Sequence, residues 1–418
     1  MKYNLAIIGG GPAGLMAACC ASEAGATVII LEKNKKPGIK LLATGGGRCN
    51  FTNINREPKS LAACYAPNGH FLISAFTRFG PRETIDFFEK NGITTKIENN
   101  GRVFPVSDRA SDILNALTEK IKKLESIIRT EATVKDIISS AGKIKKLVLN
   151  NGEEIIADNY LIATGGKSYP LTGSDGAAYA WLEKLGHTII KPRPALTPLY
   201  SEEKFIKALE GLSLSDITVS LFKNQKKINT TRGDLIFTSA GLSGPAIFDT
   251  SRFIDFVQQN NFSLELDHYP DKTEQELTEE LQKIFHSGHK LFKNILDKLV
   301  APKLAPVLMA LLAIPPTQPA NTIAREKKIK LAMFLKKFPV PISGLGDFDR
   351  AMTTAGGVDL QEIDPKTMRS KFISNLYLAG EILDLVGPTG GYSLQLCWST
   401  GYIAGESAAQ LQIDKKKI

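Results

Sequence analysis

Long apolar runs, paired cysteines and clustered histidines are all missing from this chain. No stretch approaches the ~18 consecutive apolar residues that a membrane span needs, so no membrane partner is expected. The five cysteines, Cys19, Cys20, Cys49, Cys64 and Cys397, contain no Cys-x-x-Cys. That spacing indicates neither a zinc ribbon nor a thioredoxin-type couple, and an odd count without a framework predicts a reducing, cytoplasmic setting. Of the five histidines, His286 and His289 are closest together, with no third ligand near them, so no metal site is expected. Basic residues are not interleaved with aromatics as in a nucleic-acid module, and no nucleic-acid partner is expected. What remains is ordinary globular composition: 418 residues, 43% hydrophobic and 23% charged, enough for two or three domains. The net charge of +9 suits anionic ligands. Lys415, Lys416 and Lys417 read as a solvated tail.

The strongest positive signal is at the N-terminus. Leu5 to Ile8 is an apolar run of strand length, and Gly9, Gly11 and Gly14 follow it in a G-x-G-x-x-G pattern. In that pattern the first glycine makes a tight turn and the second lets a pyrophosphate approach the backbone. The third lets the next helix pack close to the strand. The helix, Ala13 to about Ala24, would point its N-terminal N–H groups at the phosphates. Thr27 to Leu31 reads as a second strand, and the apolar N-terminal stretch, being the first strand, is not read as a signal peptide. Glu32 closes the second strand about 20 residues beyond the glycines, where an acid binds ribose hydroxyls. An acid there favours an unphosphorylated ribose, hence FAD or NAD over NADP.

A second glycine cluster follows a basic turn (Lys33 to Lys40). It is Ala43-Thr44-Gly45-Gly46-Gly47-Arg48-Cys49-Asn50-Phe51-Thr52-Asn53. Three consecutive glycines permit a tight bend or a close approach to a ligand. Arg48 suits a phosphate or carboxylate, and Asn50, Thr52 and Asn53 offer neutral donors and acceptors.

Farther on, Pro81 to Lys90 reads as a helix, as does the periodic run from Ile113 to Leu124 with Ser111 as its cap. Thr133 to Ile137 reads as a strand, and Lys146 to Ala157 as a hairpin about Asn151-Gly152. Tyr160 to Gly166 reads as a buried strand running into glycines, and Ala177 to Leu185 as a helix. Prolines 192, 194 and 198 announce a composition shift. From about 195 to 340 the pattern is of an insert. Its strands are Ile217–Phe222, Leu235–Thr238 and Phe262–Asp267; its helices are Glu274–Phe285, Lys303–Leu312 and Ala324–Phe338. Pro339 and Pro341 are expected to mark its exit. A strand then ends at Ala379-Gly380-Glu381. Gly387-Pro388-Thr389-Gly390-Gly391-Tyr392-Ser393-Leu394-Gln395 leads into a final helix, a second anion or dipole site.

Taken together, the first turn, Glu32, Thr133-Val134, Ala163-Thr164-Gly165-Gly166 and Ala379-Gly380-Glu381 resemble the glutathione-reductase-type FAD fold. Within it, the 43–53 stretch, Thr353-Thr354-Ala355-Gly356-Gly357-Val358, and Gly380 through Gln395 resemble one subfamily. That subfamily is the bacterial NAD(P)/FAD-dependent oxidoreductases that include aminoacetone oxidase and a bile-acid enone reductase. The resemblance covers nearly the whole chain. It implies an α/β fold: a three-layer, Rossmann-like FAD-binding domain with a parallel sheet, and an inserted β-rich plus helical substrate region over the flavin. The implied boundaries are 1–192 and 341–418 for the FAD-binding domain, 193–270 for the β-rich insert and 271–340 for the helical one. It further implies that Gly9, Gly11, Ala13 and Gly14 hold the FAD pyrophosphate, and that Glu32 binds the adenosine ribose with Lys33 beside it. Thr44, Gly46, Gly47, Arg48 and Asn50 would lie along the cofactor's inner portion. Val134 would meet the adenine, and Thr164 and Gly165 the phosphates. Gly380 and Glu381 would reach the ribityl and phosphate region, and Gly391, Tyr392 and Ser393 the ring.

No second cysteine stands near Cys49, which disfavours flavin disulfide reductase chemistry. No second G-x-G-x-x-G follows a strand, so NAD(P)H would bind only transiently. Three functional readings stay open. The first is an FAD oxidoreductase of a small organic substrate that passes hydride through flavin N5 and electrons to O2 or an unsaturated acceptor. The second is an NAD(P)H-dependent reductase of an activated C=C bond. It is suggested also by a likeness of Gly165 through Gly176 to fumarate-reductase-type flavoproteins, with Arg48, Arg193, Arg232 and Arg252 available for carboxylates. The third is a non-catalytic flavin redox sensor. No motif identifies a catalytic acid or base, or an oligomeric state.

Overall fold

The computed structural model describes residues 3–54, 57–255, 261–286 and 290–416, with side chains described to 410. His289, the side chain of His286 and those of Lys415 to Lys417 lie outside the described residues. The chain forms two units: Met1–Ala195 with Phe348–Ile418, and Leu196–Asp347.

The first unit is built on a five-stranded sheet in the order Leu376–Leu378, Ala157–Ile162, β1 (Tyr3–Ile8), β2 (Val28–Leu31), Ile127–Arg129. Every neighbouring pair is parallel. The four-residue strand β2 and the last four residues of β1 are entirely buried, as a parallel sheet covered on both faces requires. The register aligns one edge: Ile8 pairs with both Leu31 and Ile162, and Ile162 pairs with Leu378. Gly9, Glu32, Ala163 and Ala379 therefore leave the sheet side by side. From β1 the chain runs outward through β2 to Ile127–Arg129, then returns to the other side of β1. The order reverses between β1 and Ala157–Ile162, the kind of switch point at which open α/β sheets bind ligands.

Adjacent strand residues point to opposite faces, and here they identify the layers. Asn159 donates from Nδ2 to the Ala408 carbonyl of the C-terminal helix (Tyr392–Lys416), at 3.0 Å. Its neighbour Tyr160 donates from its hydroxyl to the Lys145 carbonyl at 3.1 Å. Lys145 belongs to an antiparallel meander, Val134–Ser140, Lys143–Leu149 and Glu154–Ile155. Helices thus cover one face and the meander the other, giving the three-layer, Rossmann-type domain.

The helical layer is packed unusually close. Helix α1 (Pro12–Glu23) is apolar nearly all round, and every residue from Ala13 to Ser22 is buried. A Cβ on Gly14 would lie 2.1 Å from the Gly9 carbonyl oxygen and 3.2 Å from Ile7 Cγ2. On a neighbouring face, Gly401 and Gly405 of the C-terminal helix lie against α1. A Cβ on either would come within 2.4 and 2.3 Å of the Ala13 and Ala17 carbonyl oxygens, respectively.

Helix Pro81–Lys90 forms at the expected residues. Ser111 is not the cap of the next helix. That helix runs Ala110–Lys123, with Arg109 in extended conformation at the cap position, so Ser111 stands within its first turn.

The second unit holds a seven-stranded antiparallel sheet. Its order is Phe338–Ile342, Phe262–Asp267, Ser213–Lys223, Lys226–Thr238, Gly241–Ser243, Leu199–Tyr200, Gly344–Leu345. Strands and helices share one core, from Leu199 through Leu266 to Leu335 and Ile342. Pro339 and Pro341 do not mark its exit. They sit within the edge strand, exposed, while Phe338, Val340 and Ile342 point inward. An edge strand tolerates proline because the missing N–H faces no partner on its open side. The unit therefore continues to Asp347.

A buried histidine fastens the segment before the last sheet strand. Ser370 Oγ accepts the N–H groups of Phe372 (3.1 Å) and Ile373 (3.0 Å). Its own proton is then free for His187 Nε2 at 2.8 Å, and His187 Nδ1 donates to Glu362 at 2.9 Å. This satisfies a neutral imidazole. Burial pushes the His187 pKa below its ordinary 6.5, and Glu362 opposes this only in part.

Two expectations follow. Gly405→Ala should lower the thermal unfolding midpoint, because overpacking at such a contact costs about 1–3 kcal/mol. An unchanged midpoint would mean that the two helices are not in contact there. For His187, the unfolded chain takes up a proton below pH ~6.5 while the folded one resists it. The contribution is therefore complete above that pH and is lost as pH falls below it. The wild-type midpoint should drop more steeply between pH 7.5 and 5.5 than that of His187→Gln, as measured by scanning calorimetry at ~0.5-unit steps across the imidazole range.

Candidate functional site

The aligned sheet edge opens into a cleft that encloses about 1370 Å³ of empty space, its open mouth included. Gly9 turns the chain out of β1 with φ +105°, and a Cβ there would strike the Ala163 carbonyl oxygen at 2.6 Å. Gly11 is the cap residue of α1, in extended conformation, with no side-chain cap and no acidic residue in the helix's first turn. A Cβ on Gly11 would meet no atom within 4 Å, so its side faces open space. The leading N–H groups of α1 thus carry neither a side-chain cap nor an acid from the helix's own first turn, an arrangement that suits a phosphate.

Glu32 organises this turn. Its carboxylate, 7% exposed, accepts the Gly10 N–H at 2.9 Å on Oε2. On Oε1 it accepts the Asn34 N–H and Nδ2, both at 2.8 Å. A buried carboxylate needs such donors to offset its lost hydration. The adjoining residues tie across the cleft rim: Lys33 pairs with Asp175 at 2.7 Å, and Asn34 Nδ2 donates to the Thr172 carbonyl at 3.1 Å.

Glu381, just beyond strand Leu376–Leu378, is the second acid of the cleft. Its Oε1 accepts from Ser168 Oγ (2.8 Å), Thr353 Oγ1 (2.9 Å) and the Thr354 N–H (2.6 Å). Its Oε2 accepts from Lys40 Nζ at 2.8 Å. Lys40 also donates to Ser168 Oγ at 2.6 Å. Lys40 belongs to α2 (Ile39–Leu42), which follows Gly38; the Gly38 N–H donates to the Gly10 carbonyl at 2.9 Å and straps α2 to the glycine turn.

The structure brings Gly9, Gly11, Ala13, Glu32, Lys33, Thr44, Val134, Thr164, Gly165, Gly380, Glu381 and Ser393 to the cleft wall. Gly14, Gly46, Gly47, Arg48, Asn50, Gly391 and Tyr392 are placed behind or beside it. Gly14 serves the helix–strand contact. Gly46 and Gly47, at φ +67° and +89°, form the exposed bend that the glycine triplet predicted. Arg48 is committed elsewhere: its guanidinium pairs with Glu98 and with Asp108 (2.7 Å) and lies 4.2 Å over the Phe104 ring. These bonds hold the Glu98 carboxyl below its usual range, and Lys96 together with Arg48 does the same for Asp108. Gly391 packs against strand Thr52–Asn53, where a Cβ would lie 2.4 Å from the Thr52 carbonyl oxygen. The Tyr392 carbonyl accepts from Tyr65 Oη at 2.7 Å, and the two rings meet edge-on.

Sequence reasoning missed Lys40, Ser168, Asn34 and Trp181. The first two bond to Glu381, and Trp181 lines the wall. None stands in a motif; Asn34 arrives through its local bonds to Glu32, whereas Lys40, Ser168 and Trp181 meet the site only through long-range folding. Cys397 also lines the wall, but burial pushes its thiol up to about 12, and that of buried Cys49 likewise to about 12. Neither supplies a thiolate near neutral pH. Among the described residues, no group of three or more His, Cys, Asp or Glu is placed to hold a metal, and no helix is long and apolar enough to cross a membrane.

Two features test whether FAD fits. The open side of Gly11 leaves room for a diphosphate against the backbone. Thr164 Oγ1 is buried at the cleft wall without a hydrogen-bond partner among the described residues. An orphaned donor at a ligand wall is what a cofactor oxygen would satisfy. The residues present fit the group.

A family model described as HI0933-like protein Rossmann domain matches residues 3–407. The 3-dehydro-bile acid delta(4,6)-reductase of Clostridium scindens is 32% identical, over 97% of this chain and 99% of its own length. The ribosomal RNA dihydrouridine synthase of Haemophilus influenzae is 32% identical, over 97% of this chain and 98% of its own length. Among solved structures, the 3-ketosteroid-delta4-(5alpha)-dehydrogenase from Rhodococcus jostii in complex with 4-androstene-3,17-dione shares the fold. The TM-score is 0.53 at 15% identity, covering 98% of this chain and 97% of that one.

Glu32→Gln would turn an amide N–H toward a backbone donor. It should weaken FAD binding by roughly tenfold, the scale of one lost charge-assisted hydrogen bond, and lower the unfolding midpoint. Flavin fluorescence titration of the deflavinated protein checks the first and a thermal melt the second. Unchanged values would remove Glu32 from its role in the turn.

Proposed function

The chain belongs to the HI0933-like FAD Rossmann family, and on that footing we propose that it reduces a carbon–carbon double bond conjugated to a carbonyl, with FAD as its bound redox cofactor. The observation that carries this reading is the chemistry common to two relatives matched over nearly their whole length. A delta(4,6)-reductase of a 3-dehydro bile acid and a dihydrouridine synthase both saturate a double bond conjugated with a carbonyl. An intact cofactor cradle, with open Gly11, engaged Glu32 and unpartnered Thr164, supports it from the side of the structure.

FAD supplies two-electron, hydride-type redox chemistry when bound. The chain's own residues bind and orient it. The α1 N-terminus and the Gly9–Gly11 backbone receive the diphosphate, and Glu32 takes the adenosine ribose. Glu381 takes a ribityl hydroxyl on Oε2, the oxygen with room for a second donor. Thr164 Oγ1 donates to a cofactor oxygen. The apolar residues Leu31, Leu41, Val134, Leu394 and Leu396 line the rest of the wall and exclude water. Held by these residues, FAD would accept and pass on hydride at its N5, with NAD(P)H as a transient donor, since the sequence carries one dinucleotide fingerprint and no second.

The first reading takes a small enone as substrate. A second, uridine within ribosomal RNA, departs from the expectation of no nucleic-acid partner and is favoured by the dihydrouridine synthases; that from Escherichia coli is 30% identical over 97% of this chain. The net charge of +9 is in keeping with it.

The test is an anaerobic absorption experiment. The purified protein should show flavin bands that NADH or NADPH bleaches. A steroid 4-en-3-one or deproteinised ribosomal RNA should then restore the bands under argon, and mass spectrometry should find two hydrogens gained in the restoring substrate. Recolouring by air alone, with no conjugated substrate effective, would make the protein an oxidase and sink this reading.

A further inference from the structure

The cleft has a charge problem. Its wall carries three carboxylates, Glu32, Asp175 and Glu381, and two ammonium groups, Lys33 and Lys40. A dinucleotide adds a dianionic diphosphate to this surplus of negative charge. Lys33 is matched to Asp175 at the rim. Arg48, the other cation that the glycine cluster offered, is held by Glu98 and Asp108. Glu381 stands next to the diphosphate position, because the residue before it, Gly380, lies against Ala13 in the first turn of α1 (2.9 Å from a Cβ on Gly380 to the Ala13 Cβ). Its side chain is 14% exposed, so water screens it poorly.

We infer that Lys40 is the charge-compensating residue of the cofactor site: it neutralises Glu381 so that this carboxylate can accept a ribityl hydroxyl beside the diphosphate. The inference rests on the FAD reading above and goes beyond it. The geometry is specific. Oε1 of Glu381 is filled by three neutral donors from Ser168, Thr353 and Thr354. Among the described residues, Oε2 receives only the Lys40 ammonium, and there the carboxylate has capacity for one more donor. Lys40 is itself held in place by Ser168 and by the strap from Gly38 to Gly10. Three neutral hydrogen bonds orient Glu381 but leave its full charge; only Lys40 cancels it. Because the pair is separated by 341 positions in the chain, it also ties α2 to the segment after strand Leu376–Leu378.

A residue that acts by cancelling a charge becomes dispensable once that charge is removed. The test is FAD titration of deflavinated protein by flavin fluorescence, on the wild type, Lys40→Met, Glu381→Gln and the double variant, with thermal melts of each apo form. Lys40→Met should weaken FAD binding by roughly 10- to 100-fold, the effect of an uncompensated, poorly screened charge beside a dianion. Adding Glu381→Gln should recover part of that loss, leaving the double variant tighter than Lys40→Met, and Lys40→Arg should retain affinity. If Lys40→Met fails to fold, Lys40→Gln takes its place in the cycle. Binding within about twofold of wild type in the single variant, or a double variant no tighter than the single one, overturns the inference. Failure of the wild type itself to bind FAD overturns the cofactor reading instead.

Discussion

Helix α1 is held at backbone distance on two sides, and the rest of the first unit is arranged around that constraint. Gly14 admits the Gly9 carbonyl and Ile7 from the sheet side, and Gly401 and Gly405 of the C-terminal helix admit the carbonyls of Ala13 and Ala17. These contacts leave α1 no freedom to slide, since packed backbone is not compressible. The start of α1 is thereby fixed relative to the sheet edge, and its leading N–H groups are fixed relative to the cleft. A helix terminus attracts a phosphate only over its first turn, so this placement is what makes the fold's charge distribution useful.

The acids of the cleft illustrate how a fold reuses side chains. Glu32 looks outward to a ligand in motif-based reasoning, yet most of its hydrogen bonding is inward, to Gly10 and Asn34. The same carboxylate that would meet a ribose shapes the turn that would meet the phosphates. Glu381 is similar: four protein donors hold it in one orientation before any ligand arrives. Such groups are rigid because leaving any of their partners unmade is costly. Preorganisation of this sort lets a cofactor bind without paying for the ordering of its own site.

Much of the fold was legible in the chain. The G-x-G-x-x-G turn, both its flanking strands and the acid at the end of β2 stand where the pattern placed them, because strand–turn–helix chemistry is short-range. Helix Pro81–Lys90 and strand Phe262–Asp267 match residue for residue, since proline at a helix start and strict apolar alternation are local signals. Ser111 misled because a preferred cap residue also fits a first helical turn, and the extended Arg109 took the cap instead. Pro339 and Pro341 misled because proline reads as a break unless the strand is known to be at an edge, and that depends on which strands pair.

The sequence by itself determined the local units: the glycine turn, the buried strands, the bend at Gly45 to Gly47, and the family to which the motifs point. Each depends on backbone freedom or side-chain periodicity within a few residues. Only the tertiary structure decided which charges meet. Arg48 and Lys40 are both basic residues near glycines, and nothing in their neighbourhoods distinguishes them. Folding gives Arg48 to Glu98 and Asp108 and brings Lys40 to Glu381 across most of the chain. Long-range electrostatic partners are set by how the sheet orders its strands, and that order is a property of the whole packed unit rather than of any segment.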